Sequence, residues 1–150
     1  MNTPSRLLLI AGLLLASVGL RAETPAASGS DALIARGRYL VEGVGLCADC
    51  HTPRNEKGEF VTAQWLRGAM IGFTPAMPMP VWAPVAPPIA GLPSMTDEQA
   101  VHFLMEGKRP DGSQPRPPMP PYRLNAEDAR AMVAYLKSLG EPAPVVVSAR

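Results

Sequence analysis

A chain of 150 residues with 47% apolar, 18% charged and only 5% aromatic side chains has room for one domain and hardly two. Its 18 prolines and 13 glycines, roughly twice ordinary usage, interrupt regular structure and disfavour both a helical bundle and a large sheet. A formal charge of +1, eight aromatic rings and two closely spaced cysteines leave a thin core without a disulfide framework, so the fold needs some other staple.

Residues 1–22 read as a secretory signal peptide. Arg6 lies in a positive start, residues 7–20 form an apolar run, and Leu20, Arg21 and Ala22 offer a small residue at a cut. The run of fourteen is shorter than the roughly 20 residues a spanning helix needs, and no cysteine follows it to carry a lipid. Removing this segment takes away Arg6 and Arg21 and no acid, leaving 12 basic against 13 acidic side chains. A near-neutral mature chain argues against nucleic acid as a partner, and no run of like charge suits an anionic membrane surface.

Residues 23–30 are small and polar and are expected to be a flexible lead-in. Ser30 then caps a helix in which Leu33, Ile34, Tyr39 and Leu40 recur at helical spacing, with Gly43 as its terminus. Between residues 52 and 72 Asn55, Gly58 and Gly68 signal turns and no period stands out. Residues 74–93 hold seven prolines in twenty positions and must be extended, yet they carry Met77, Met79, Val81 and Trp82. Such a segment is too apolar for a solvated linker and is expected to wrap along a surface.

Thr96 and Gln99 make a capping box opening a short helix through Val101, Phe103, Leu104 and Met105, which stops at Gly107. A second proline-rich loop covers residues 109–121. Asn125 caps the last helix, with Glu127 and Asp128 in its first turn, Lys137 in its last and Gly140 beyond. Its apolar stripe is Met132, Val133, Tyr135, Leu136 and Leu139. A helical domain is expected over residues 31–140 and a tail over residues 141–150.

Both cysteines fall in Cys47-Ala48-Asp49-Cys50-His51, the C-x-x-C-H signature of c-type haem attachment. On a helical turn residues three apart share a face, so two thiols reach the two vinyl groups of one porphyrin while His51 takes the proximal position on the iron. Haem then becomes the apolar body around which a thin core condenses. A thioredoxin-type C-x-x-C would need a βαβ setting, whereas these flanks are helical or proline-broken. A zinc site from Cys47, Cys50, His51 and His102 would crowd three ligands into one five-residue run.

The sixth ligand decides the chemistry: an open position suits gas or peroxide chemistry, while a Met thioether makes an electron-transfer site. Met105 and Met132 lie on helix stripes and read as core. Met70, Met77, Met79, Met95 and Met119 are in loops or at helix starts. Met119 stands out in Pro117-Pro118-Met119-Pro120-Pro121, a stiff loop able to hold a thioether, and Met79 in Pro78-Met79-Pro80 has a smaller claim.

With these residues in place the sequence resembles the class I c-type cytochromes, the monohaem carriers and cytochrome subunits of bacterial periplasmic dehydrogenases. The resemblance runs from the helix around Ala35 to Leu40, through Cys47-x-x-Cys50-His51 and Pro118-Met119-Pro120, to the helix ending at Ser138 and Leu139. It implies an all-α cytochrome c-like domain around one covalent haem c, with Cys47, Cys50, His51 and Met119 binding the cofactor and His51 and Met119 ligating its iron. It also implies that Gly37 and Tyr135 face each other where the first and last helices cross. The long apolar insertion at residues 74–93 departs from small members of the class.

The function implied is periplasmic electron transfer rather than catalysis, between a periplasmic or membrane-bound dehydrogenase and a terminal oxidase or another cytochrome, as a free carrier or as the haem subunit of an oxidoreductase. The alternative is a haem sensor or peroxidase-like protein with a displaceable distal ligand. Lesser expectations are a carbonyl near Pro53 as the acceptor for the second His51 nitrogen, Arg54, Arg67 or Arg116 at a propionate, Trp65, Trp82 or Tyr122 at the pocket, and His102 as a structural or exposed residue.

Overall fold

The structure, a computed structural model, describes residues 29–140. The expected signal peptide, most of the lead-in and the tail at residues 141–150 lie outside the described residues. Four α-helices carry the fold: α1 (Gly29–Tyr39), α2 (Cys47–His51), α3 (Asp97–Glu106) and α4 (Ala126–Ser138). A two-residue antiparallel ribbon, β1 (Ala69–Met70) with β2 (Val85–Ala86), is the only sheet among the described residues. None of these helices is long and apolar enough to cross a membrane.

Local chemistry accounts for α3 and α4. The Thr96 hydroxyl accepts from the Gln99 N–H while the Gln99 side chain accepts from the Thr96 N–H, and Gly107 closes α3 at φ +66°. Asn125 accepts from the Asp128 N–H at 2.8 Å, with Glu127 and Asp128 at the positive end of the helix dipole. Gly140 follows at φ +67°.

The N-terminal helix differs from expectation at both ends. Gly29 and Ser30 lie within α1, so Ser30 is helical rather than flanking. The chain does not stop at Gly43. It widens into a π-turn over Leu40–Val44, closed by the Gly45 N–H on the Leu40 carbonyl at 2.7 Å. Tyr39, counted on the apolar stripe, is exposed, with the Arg36 guanidinium 5.6 Å from its ring centre. The π-turn shifts the helix face by a fraction of a turn, which keeps Leu40 and Val41 buried.

The core forms where α1 crosses α4. A Cβ on Gly37 would stand 1.8 Å from the Ala131 carbonyl oxygen and 2.8 Å from the Tyr135 Cβ, so the two backbones touch at the glycine, as the resemblance implied. Tyr135 donates from its hydroxyl to Glu42, whose other oxygen accepts from Arg38, and Arg36 pairs with Asp128 at 2.9 Å. One step along α4, Met132 and Leu136 are buried on the side that faces the functional cavity. α4 therefore carries two adjacent stripes, one for α1 and one for the site.

Candidate haem-binding site

Leu46, in the left-handed region at φ 49°, turns the chain sharply into α2. This single turn carries Cys47, Cys50 and His51 to the lining of one cavity of about 390 Å³. Ala100, Phe103 and Leu104 of α3, Met132 and Leu136 of α4, and Ala86 to Ile89 supply apolar walls. Met119 also lines the cavity, which therefore gathers all four residues expected at the site.

The His51 ring is buried and its Nδ1 lies 2.7 Å from the carbonyl oxygen of Pro87. That acceptor replaces the expected carbonyl near Pro53, and it lies 36 residues downstream, where no local signal marks it. Burial pushes the imidazole below its ordinary pKa, opposed by the bond to the Pro87 carbonyl. Neutral imidazole donating through Nδ1 leaves Nε2 as its free lone pair, the form that binds a metal.

A relay of backbone bonds fixes that carbonyl. Thr52, 1% exposed, accepts at its hydroxyl from the Leu66 N–H at 2.9 Å. The Leu66 carbonyl in turn accepts from the N–H groups of Ile89 and Ala90, while Gly68 donates to the His51 carbonyl at 2.8 Å. A Cβ on Gly68, whose φ is +90°, would stand 3.0 Å from the Ala86 carbonyl oxygen and the Pro88 nitrogen, so a side chain there would be strained and crowded against backbone. The insertion at residues 74–93 is thus part of the cavity wall.

Both thiols sit above their ordinary range. Burial is the main cause for Cys47, pushed up to about 11, and for Cys50, where Asp49 adds to it. Disulfide-exchange C-x-x-C pairs work through a thiol of lowered pKa, so this turn has the opposite electrostatics. His102 lies exposed in a surface groove beside Asp97 and Glu98, away from the cysteines, and no group of three or more His, Cys, Asp or Glu able to hold a metal occurs among the described residues. The Cys₂His₂ set is not brought together.

The Met119 loop is braced from three directions. Met119 donates its N–H to the Arg116 carbonyl at 3.2 Å, and Ala83 donates to the Pro117 carbonyl at 2.8 Å. Tyr122 donates its hydroxyl to the Gly45 carbonyl at 2.8 Å, tying this loop to the chain entering α2. Burial raises the Tyr122 phenol to about 12. Met95 and Met132 also line the cavity, whereas Met70, Met77 and Met79 are exposed and do not.

A family model described as Cytochrome c matches residues 34–140, nearly the whole of the described structure. The chain is a class I c-type cytochrome. It is 37% identical over 110 residues to a diheme cytochrome c-type of Cereibacter sphaeroides, covering 68% of this chain and 34% of that one. It is 32% identical over 120 residues to the cytochrome c subunit of an alcohol dehydrogenase (quinone) of Gluconobacter oxydans, covering 73% and 24%. A fructose dehydrogenase cytochrome subunit of Gluconobacter japonicus is 33% identical over 109 residues, covering 69% and 21%. The chain spans about a third or less of the length of these relatives.

Membership in the family brings a covalently bound haem and an electron-carrying role. The cytochrome's cavity fits such a group by its donors: paired thiols, an imidazole with one nitrogen already engaged, and a thioether, in an apolar enclosure. Of the arginines read as propionate partners, Arg116 lines the cavity. Arg54 instead bonds Asp49 and the Gly58 carbonyl and lies 3.9 Å over the Phe60 ring. Arg67 is absent from the lining, and its Nη1 is buried without a hydrogen-bond partner. Arg109, which the sequence reading passed over, lines the cavity as well. Tyr122 lines it, whereas Trp65 packs edge-on to Phe60 and Trp82 edge-on to Phe73.

Proposed function

We propose that this cytochrome carries one haem c, attached through Cys47 and Cys50 and ligated by His51 and Met119, and passes single electrons from a dehydrogenase to another cytochrome or an oxidase. The observation that carries the reading is the convergence of these four side chains on one apolar cavity. Haem bound there supplies a one-electron ferric–ferrous couple, set toward high potential by a thioether ligand. The chain's residues do the rest. The Pro87 carbonyl orients His51, the proline-rich loop holds the Met119 sulfur, and the apolar walls exclude water.

A dehydrogenase as electron donor is supported by the relatives that are dehydrogenase cytochrome subunits. Export to the periplasm follows if residues 1–22 are a cleaved signal peptide, since thioether attachment to C-x-x-C-H then takes place on an exported chain. The experiment is spectroscopic. Purified protein expressed with its leader should keep a haem stain through denaturing electrophoresis, contain one haem per chain, and show a ferrous spectrum unchanged by carbon monoxide at neutral pH. Loss of the stain would remove covalent attachment, and ready carbon monoxide binding would replace the closed six-coordinate carrier by a protein with a displaceable distal ligand.

A further inference from the structure

The loop that carries Met119 has few groups with which to support itself. Residues 115–121 include five prolines, so only Arg116 and Met119 keep a backbone N–H. Tyr122 anchors the chain just beyond the loop, through the Gly45 carbonyl. Within residues 115–121, and among the described residues, the one hydrogen bond from another segment is the Ala83 N–H on the Pro117 carbonyl at 2.8 Å. Four residues after Ala83, the Pro87 carbonyl accepts from the His51 Nδ1 at 2.7 Å. Supports for both candidate ligands therefore belong to one stretch of chain, residues 83–87.

That stretch has little freedom. Pro84 and Pro87 have a fixed φ, Ala83 and Ala86 each precede a proline and are held to extended backbone, and Val85 is paired with Met70 in the β1–β2 ribbon. Ile71 holds the middle by donating to the Pro84 carbonyl at 2.9 Å. Four steps of extended chain reach about 13 Å, so a shift at one end has little slack in which to vanish. Ala83 and Ala86 line the cavity with single methyl groups, whereas Pro84 does not line it.

We propose that residues 83–87 are a strut that positions both axial ligands at once, Met119 through the Pro117 carbonyl and His51 through the Pro87 carbonyl. It rests on the His51 and Met119 ligation proposed above. Axial ligands stand on opposite sides of the metal they share, and each of these two comes from its own segment, His51 from α2 and Met119 from the proline-rich loop. A stiff connection between their supports makes the hold on one depend on the hold on the other. Softening the strut at its middle loosens both ligands together, although neither ligand, neither carbonyl and no cavity-lining side chain is altered. Proline at residues 84 and 87 thereby has a task that a flexible connection could not perform.

The test uses full-length holoprotein. Pro84→Gly keeps the Ala83 N–H and the carbonyls of residues 84 and 87 but frees φ in the middle of the strut, and Pro80→Gly changes another exposed proline of the insertion outside the strut. Two rates are read. Cyanide in excess binds the ferric protein as fast as Met119 leaves, followed by absorbance, and exchange of the His51 ring N–H with solvent, followed by NMR in the ferrous protein, reports the bond to Pro87. Pro84→Gly should raise both rates at least about fivefold, and Pro80→Gly neither.

A proline with a merely structural role would lower the unfolding midpoint and leave both rates alone. If Pro84→Gly gives no haem-bearing protein, Pro84→Ala is held to the same expectations. The proposal is overturned if the Pro84 variant moves neither rate, if it moves one ligand only, or if Pro80→Gly moves either rate as much. Wild type that binds carbon monoxide readily in the ferrous form would sink the ligation itself, whereas unchanged rates in a closed six-coordinate protein sink the strut alone.

Discussion

Met119 and Thr52 show how much a single side chain decides in this cytochrome. Met119 is the methionine whose loop is both proline-flanked and tied to the insertion, through Ala83 and Pro117. With Met119 as the proposed distal ligand, Met119→Ala is expected to open that position. The reduction potential should fall by on the order of 0.2 V, a quarter of the roughly 0.8 V over which axial ligands move haem potentials. Carbon monoxide should then bind the ferrous form. Redox titration and difference spectra check this, and unchanged values would transfer the role to Met95, the other half-buried methionine lining the cavity. Thr52 acts at one remove. Thr52→Val keeps the shape but takes away the acceptor of the buried Leu66 N–H, which should destabilise the fold by about 1–3 kcal/mol in denaturant titration. The same change loosens the relay that aims the Pro87 carbonyl, so the resonances of His51 should shift in the variant while those of α3 do not.

At the scale of elements, stability concentrates where α1 crosses α4, and a methyl group is enough to test it. Gly37→Ala places a Cβ inside the Ala131 carbonyl, a contact that must separate two backbones rather than turn a side chain. Thermal or denaturant unfolding should show a loss of at least about 2 kcal/mol. Asn125→Ala removes only one capping bond and should cost about 1 kcal/mol by the same measurement. The Asn125 cap was readable from local sequence, whereas the Gly37–Tyr135 crossing came only from the family resemblance. Caps are local, so Thr96, Gln99, Gly107, Asn125 and Gly140 placed α3 and α4 from sequence alone, and C-x-x-C-H placed α2. The π-turn at Leu40–Val44 and the ribbon of two-residue strands have no periodic signature over so few residues. The bond from His51 to Pro87 depends on how a proline-rich loop returns to the site, which no window of sequence contains. Proline content marked residues 74–93 as extended and left its direction open; the relay through Leu66 supplies it.

For the whole molecule the governing quantity is the volume at its centre. The cavity of about 390 Å³ is lined by the same Leu104, Met132 and Leu136 that belong to the buried core, so core and site are one structure. At roughly 24 cal/mol for each Å³ of unfilled core, leaving it empty would cost up to about 9 kcal/mol, an upper limit because water enters through the open side. Domains of this size are stable by only about 5–15 kcal/mol in total, so what fills that space bears on the margin of the whole fold. A Cys47→Ala/Cys50→Ala chain, produced without attached haem, should therefore lose the cooperative unfolding transition and bind a hydrophobic dye, while its far-ultraviolet signal drops only in part. Adding free haem in excess should restore some cooperativity, because a ligand that binds only the folded form adds stability in proportion to the logarithm of its concentration over its dissociation constant. If the haem-free chain instead unfolds as sharply as the holoprotein, with the same midpoint, the core closes without the cofactor and the thinness seen in the composition carries no energetic weight.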